Sequence, residues 1–127
     1  MEYGYKKQAH IPYEEAIAKT KEELSREGFG VLTEIDVKAT LKKKLDVDYD
    51  NYIILGACNP PFAYQALQAE KDFGLLLPCN VIVYDTNGET FVSAILPTSA
   101  MNMVENESLR GIASQVEQKL KTVINRV

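Results

Sequence analysis

The chain switches repeatedly between two hydrophobic periods, two residues in strands and three to four in helices, with only short turns between the switches. That alternation predicts the order strand, helix, strand, short helix, strand, helix, strand, strand, helix. Residues 1–127 have the length of one ordinary domain. The simplest layered solution is α+β, a single sheet with its long helices packed against one face.

The elements can be placed residue by residue. Tyr3 and Tyr5 alternate with Gly4 and Lys6 in a first strand over residues 2–9. Pro12 suits the first turn of a helix in which Ala16, Ile17, Thr20 and Leu24 form the apolar stripe, and Gly28 is its expected stop. Phe29, Val31, Thr33 and Ile35 then alternate with Gly30, Leu32, Glu34 and Asp36, which predicts a half-buried strand. Val37, Leu41 and Leu45 repeat at intervals of four as a two-turn amphipathic helix. The unbroken apolar run from Tyr52 to Ala57 predicts a central strand buried on both faces. Asn59 can cap a helix that Pro60 opens and that reaches about Asp72, with Gly74 in a left-handed exit. The strands Cys79–Tyr84 and Thr90–Leu96 flank Asn87-Gly88, a pair suited to the positive φ angles of a tight hairpin. Pro97 ends the second of these, residues 98–105 read as loop, and Asn106 opens a last helix. Leu109, Ile112, Ala113, Val116, Leu120, Val123 and Ile124 line one face of that helix.

The formal net charge is -4. Such a balance gives no drive toward phosphate backbones or anionic lipid, and the one basic cluster, Lys42-Lys43-Lys44, reads as a solvated helix face. No nucleic-acid partner is therefore expected. No apolar run approaches the ~20 residues of a membrane span, and residues 1–10 lack the apolar stretch of a signal peptide. A cytoplasmic protein with two reduced cysteines is the expectation, and a structural disulfide is not.

Those cysteines carry the chemistry the sequence offers. Cys58 ends the apolar strand and directly precedes the Asn59 cap; a thiol beside a helix N-terminus is stabilised as thiolate by the exposed amides and the dipole. The alternative is a small buried cysteine filling a strand end. Cys79 begins another strand, and antiparallel pairing of the two strands would make the sulfurs neighbours. Their separation of 21 residues is neither CxxC nor zinc-ribbon spacing, and His10 is the lone histidine. Met101 and Met103 add thioethers that suit soft Cu(I), or else pack against the core. Tyr64, one turn into the helix after Cys58, is expected to shape a cleft at the same helix end. Asp46, Asp48 and Asp50 alternate but lack the glycine and closing glutamate of a calcium loop. Gly28-Phe29-Gly30 lacks the third glycine of a dinucleotide turn.

Gly28-Phe29-Gly30-Val31-Leu32-Thr33-Glu34-Ile35-Asp36-Val37, Leu55-Gly56-Ala57-Cys58-Asn59-Pro60 and Gly74-Leu75-Leu76-Leu77-Pro78-Cys79-Asn80-Val81 together resemble the bacterial and archaeal family called domain of unknown function 302. The similarity spans nearly the whole chain. It implies a β-α-β4-α core with four to five strands, of the TATA-binding-protein-like class, and a homodimer. The family's marked positions correspond to Cys58, Asn59, Pro60, Pro78 and Cys79, with Pro97 and one of Met101 or Met103 before the last helix. Its name assigns no activity.

Three functions follow from these residues. The first is a module binding a small ligand or soft metal around the cysteine pair at the helix N-terminus, with Cys58, Asn59, Pro60, Tyr64, Cys79 and Met101 as ligand-binding residues. The second is a thiol-dependent enzyme or redox sensor, with Cys58 attacking and Cys79 resolving. The third is a homodimeric interaction protein in which both cysteines only pack. The cofactor is left open.

Overall fold

The computed structural model describes residues 2–127. Its elements are β1 (Gly4–Ala9), α1 (Tyr13–Arg26), β2 (Gly30–Asp36), α2 (Val37–Leu45), β3 (Tyr52–Cys58), α3 (Pro60–Ala69), β4 (Cys79–Thr86), β5 (Glu89–Ile95), α4 (Pro97–Ala100) and α5 (Glu107–Arg126). The five strands form one antiparallel sheet in the order β1-β5-β4-β3-β2. α1 and α5 pack on one of its faces, which is the expected α+β layering.

Each strand sends alternate side chains to the helices. Leu55, Val81, Val83, Val92 and Ala94 meet Leu24, Leu120, Val123 and Ile124 in the main core. Leucine- and valine-sized side chains buried from water contribute about 1.5–3 kcal/mol each. Glu23 is also buried in this layer, and its carboxylate is held by Lys19 at 3.0 Å and approached by Arg126 at 3.8 Å. The hydrogen bond from Lys19, with the charges of Arg26, Lys19 and Arg126, holds its pKa below the usual carboxylate range against the effect of burial. That ionic link fastens the end of α5 to α1.

The turns follow their local chemistry. Gly28 takes φ +85° at the exit of α1, and Asn87 and Gly88 take φ 51° and 79° in the β4–β5 hairpin. Asn106 caps α5, its side-chain oxygen accepting from the Ser108 amide at 3.1 Å.

Several expectations are corrected. β1 begins at Gly4, two residues later than read. A bulge between Val31 and Thr33 shifts the register of β2 against β3. Val31 therefore stays with Ala57 on the helix side, while Thr33 and Ile35 turn to the other face; strict alternation had put all three together. β2 is an exposed edge strand, and α2 buries none of its residues. β3 is central, but the sheet face away from α1 and α5 is uncovered, so Tyr52 and Ile54 are only partly buried. α3 stops at Ala69 and a 3₁₀ segment, Lys71–Leu76, contains Gly74, which does not adopt positive φ. Residues 98–105 are not plain loop: α4 is followed by a 3₁₀ turn, Met101–Met103. Among the described residues no helix is long and apolar enough to cross a membrane.

Candidate functional site

β3 and β4 pair antiparallel with Ala57 opposite Cys79, so Cys58 and Cys79 are diagonal neighbours where β3 ends and β4 begins. Beyond that sheet end, α3, the Lys71–Leu76 segment, α4 and α5 leave a cavity of about 60 Å³. Cys58, Asn59 and Cys79 all line it. Its walls come from Phe62, Ala63 and Ala66 on α3 and from Leu109, Ile112 and Ala113 on α5, with Phe29, Phe73 and Ile95 closing the sides. No lining residue is charged.

The electrostatics follow from this apolar shell. Burial, and secondarily the neighbouring Cys58, pushes the Cys79 thiol from 9.0 up to about 11. Cys79 is thus a neutral thiol at physiological pH. Both cysteines are free. Asn59 is nine-tenths buried, yet its side chain does not cap α3; it reaches back and donates to the Glu27 carbonyl at 3.2 Å. The residue ties the turn after α1 to the start of α3. Because Pro60 and Pro61 have no N–H, the first turn of α3 offers only the Phe62 amide. The row of open amides expected to hold an anion or a thiolate does not exist there.

The other expected site residues lie elsewhere. Pro60 is exposed at the first helical position. Tyr64 is 65 % exposed and does not line the cavity. The helical period explains this, since Phe62, Ala63 and Ala66 share the inward face and position 64 turns away. Met101 is buried with Ala66, Leu109 and Ala113 in a second apolar cluster and is not part of the cavity lining. Met103 points to solvent at 74 % exposure, so the two thioethers diverge and do not join the thiols. His10 is exposed as well. Among the described residues no three His, Cys, Asp or Glu side chains gather as a metal site.

The residues missed from sequence are the aromatic and alanine walls. Their signal was present as Phe62 and Ala66 one turn apart, and as Ala113 among the larger residues of the α5 stripe. Small side chains on facing helices leave the space that larger ones would fill.

Comparison with known proteins places this architecture among relatives. Residues 5–127 match the family described as Domain of unknown function DUF302. A solved structure, the uncharacterized conserved protein DUF302 from Bacillus stearothermophilus, is 31% identical with a TM-score of 0.93. That likeness covers 99% of this chain and 98% of the other. No curated protein is significantly similar.

Proposed function

Because the chain belongs to the family described as Domain of unknown function DUF302, whose description names no reaction, we propose its function from the cavity: a binding module for a small, uncharged, apolar molecule beside Cys58 and Cys79. The observation that carries this reading is a lining with no charge, one carboxamide and two sulfurs. A charged group brought into it would lose its hydration with nothing to pair against. An anion would find a single amide at the start of α3. A soft metal would have to draw the proton from Cys79, which burial opposes, and Met101 is not at hand to complete the set. Free thiols fit a reducing, cytoplasmic compartment. A space of about 60 Å³ is roughly two waters' share of liquid volume, so the ligand, or the part of it that enters, is a short alkyl or similarly small group.

Xenon is the probe of choice, since it enters dry apolar cavities without needing a polar partner. Titrating the full chain with xenon should shift the methyl resonances of Ala63, Ala66 and Ala113. Ala63→Leu should fill the space and weaken binding at least tenfold while leaving the circular dichroism spectrum unchanged. Equal xenon affinity in the variant, or shifts confined to another region, would sink the reading.

A second reading rests on a separate observation. Leu32, Ile35, Leu45, Val47 and Tyr49 are 43–67 % exposed and follow one another along β2, α2 and the segment after it. A homodimer that covers this arm would account for so much uncovered apolar surface. Sedimentation velocity at micromolar concentration should then show a dimer for the wild type and a monomer for the Leu32→Lys/Leu45→Lys variant. A wild-type monomer rules this out.

A further inference from the structure

The sheet face turned away from α1 and α5 holds a second, larger concavity, separate from the cysteine cavity. Its volume is about 460 Å³, within the ordinary range of small-molecule sites. One side is walled by the rings of Tyr52 and Tyr84, and Phe91 continues their row outside the lining. Tyr52, Tyr84 and Phe91 stand side by side across β3, β4 and β5, with centroids 5.4 and 5.6 Å apart. In the next row along the strands, Ile82 pairs with Ser93 and Ser93 with Lys6. The short Ser93 side chain between a tyrosine wall and longer neighbours makes the depression.

The polar groups around this floor can all donate a hydrogen bond, and one of them is a cation. Lys6 is the single charged residue of the lining. Its ammonium donates to the Tyr84 hydroxyl at 3.3 Å and lies 5.5 Å from the Phe91 centroid, and among the described residues it enters no ion pair. Ser93 is only 6 % exposed as a residue and lines the groove, where its hydroxyl can donate to an incoming group. Asn80 and Tyr3 supply further donors at the rim. Burial, with the phenols of Tyr49, Tyr84 and Tyr3 nearby, raises the pKa of Tyr52, so its hydroxyl also stays a donor.

We propose that this groove is a binding site for a small monocarboxylate with a flat apolar body. One ammonium matches one negative charge, whereas a phosphate dianion would find half its charge unmatched. The carboxylate oxygens accept from Lys6 and Ser93, and the body lies on Ile82 and Ile95 along the ring wall. On a chain of net charge -4, an unpaired cation set among neutral donors is the feature that selects an anion.

Benzoate tests this on the full chain, with benzyl alcohol as its uncharged counterpart, read by amide shifts of Lys6, Asn80 and Ser93 and by calorimetry. Benzoate should bind saturably and at least tenfold tighter than benzyl alcohol. Lys6→Met should remove that preference, bringing the two probes within twofold of each other, and Ser93→Ala should weaken benzoate severalfold. The proposal is overturned by an absence of saturable benzoate shifts, by benzyl alcohol binding as tightly, or by unchanged benzoate affinity in Lys6→Met. It is equally overturned if the groove amides prove to be covered by a second copy of the chain. Ala63→Leu, which fills the cysteine cavity, should leave benzoate binding unaltered, so this groove and that cavity succeed or fail separately.

Discussion

Alkylation of Cys79 by iodoacetamide is expected to rise with pH to a midpoint near 11, two units above an ordinary thiol at 9.0. At pH 8 the thiolate fraction is then about a hundredfold smaller than that of an unperturbed cysteine. A more basic thiolate is the better nucleophile and recovers about a factor of ten, so the observed rate should fall roughly tenfold from the charge effect alone. The same shift makes stability depend on pH. Because the pKa is raised in the folded state, the contribution is complete below pH 9 and is lost as the pH climbs toward about 11. Its full size is about 3 kcal/mol. Tyr13, raised to about 12 chiefly by burial, slopes the same way, so the comparison must be differential. Melting curves of wild type and Cys79→Ala between pH 8 and 11 should converge as the pH rises. A Cys79 that alkylates at the rate of a free thiol at pH 8 would remove the neutral apolar cavity from consideration.

Gly56→Ala should destabilise the domain by about 1–3 kcal/mol, the cost of forcing extra volume into packed structure. The reason is local. A Cβ at Gly56 would collide with the Thr33 Oγ1 atom across the β2–β3 pair and come within 2.9 Å of the Pro78 ring. Both neighbours are fixed, one by the strand after the bulge and the other by the turn into β4. For a domain of this length the melting temperature should drop by about 5–10 °C. Thr33→Ala in the same chain should restore part of the loss, and a double-mutant cycle measures that coupling. A single variant as stable as the wild type would show that the strand pair gives way easily.

What the sequence disclosed tracks the range of the interactions involved. Turn chemistry at Gly28 and Asn87-Gly88 is local, and it marked the helix exit and the hairpin where they occur. The α5 stripe of Leu109, Val116, Leu120 and Ile124 declared its buried face through spacing alone. The bulge at residues 31–33 left no such trace, because it depends on how β2 meets β3, and it reversed the side chosen for Thr33 and Ile35. The apolar run of β3 could not reveal that one sheet face has no cover. At the cavity, the approach of Cys58 and Cys79 followed from antiparallel pairing, while its walls needed three segments brought together from residues 62–66, 73–77 and 109–116. The missing amide donors at Pro60-Pro61 were legible from the start, since proline has none wherever it stands. The opposite-face groove was not, because its parts come from the first strand, which brings Lys6, and from the distant strands that bring Tyr52 to Ile95.

The pairing of β1 with β5 joins the two most distant strands of the chain, Gly4 opposite Ile95. β3, β4 and β5 are neighbours both in sequence and in the sheet, so they can assemble at small entropic cost, whereas β1 must close a loop of most of the molecule before it gains a partner. On grounds of loop closure the amino-terminal strand is expected to dock after the other three. Since that strand delivers Lys6, its release would remove the groove's one charge and, through Ala9 and Tyr5, would also open the margin of the hydrophobic interior, so anion recognition on the sheet is tied to the integrity of the core.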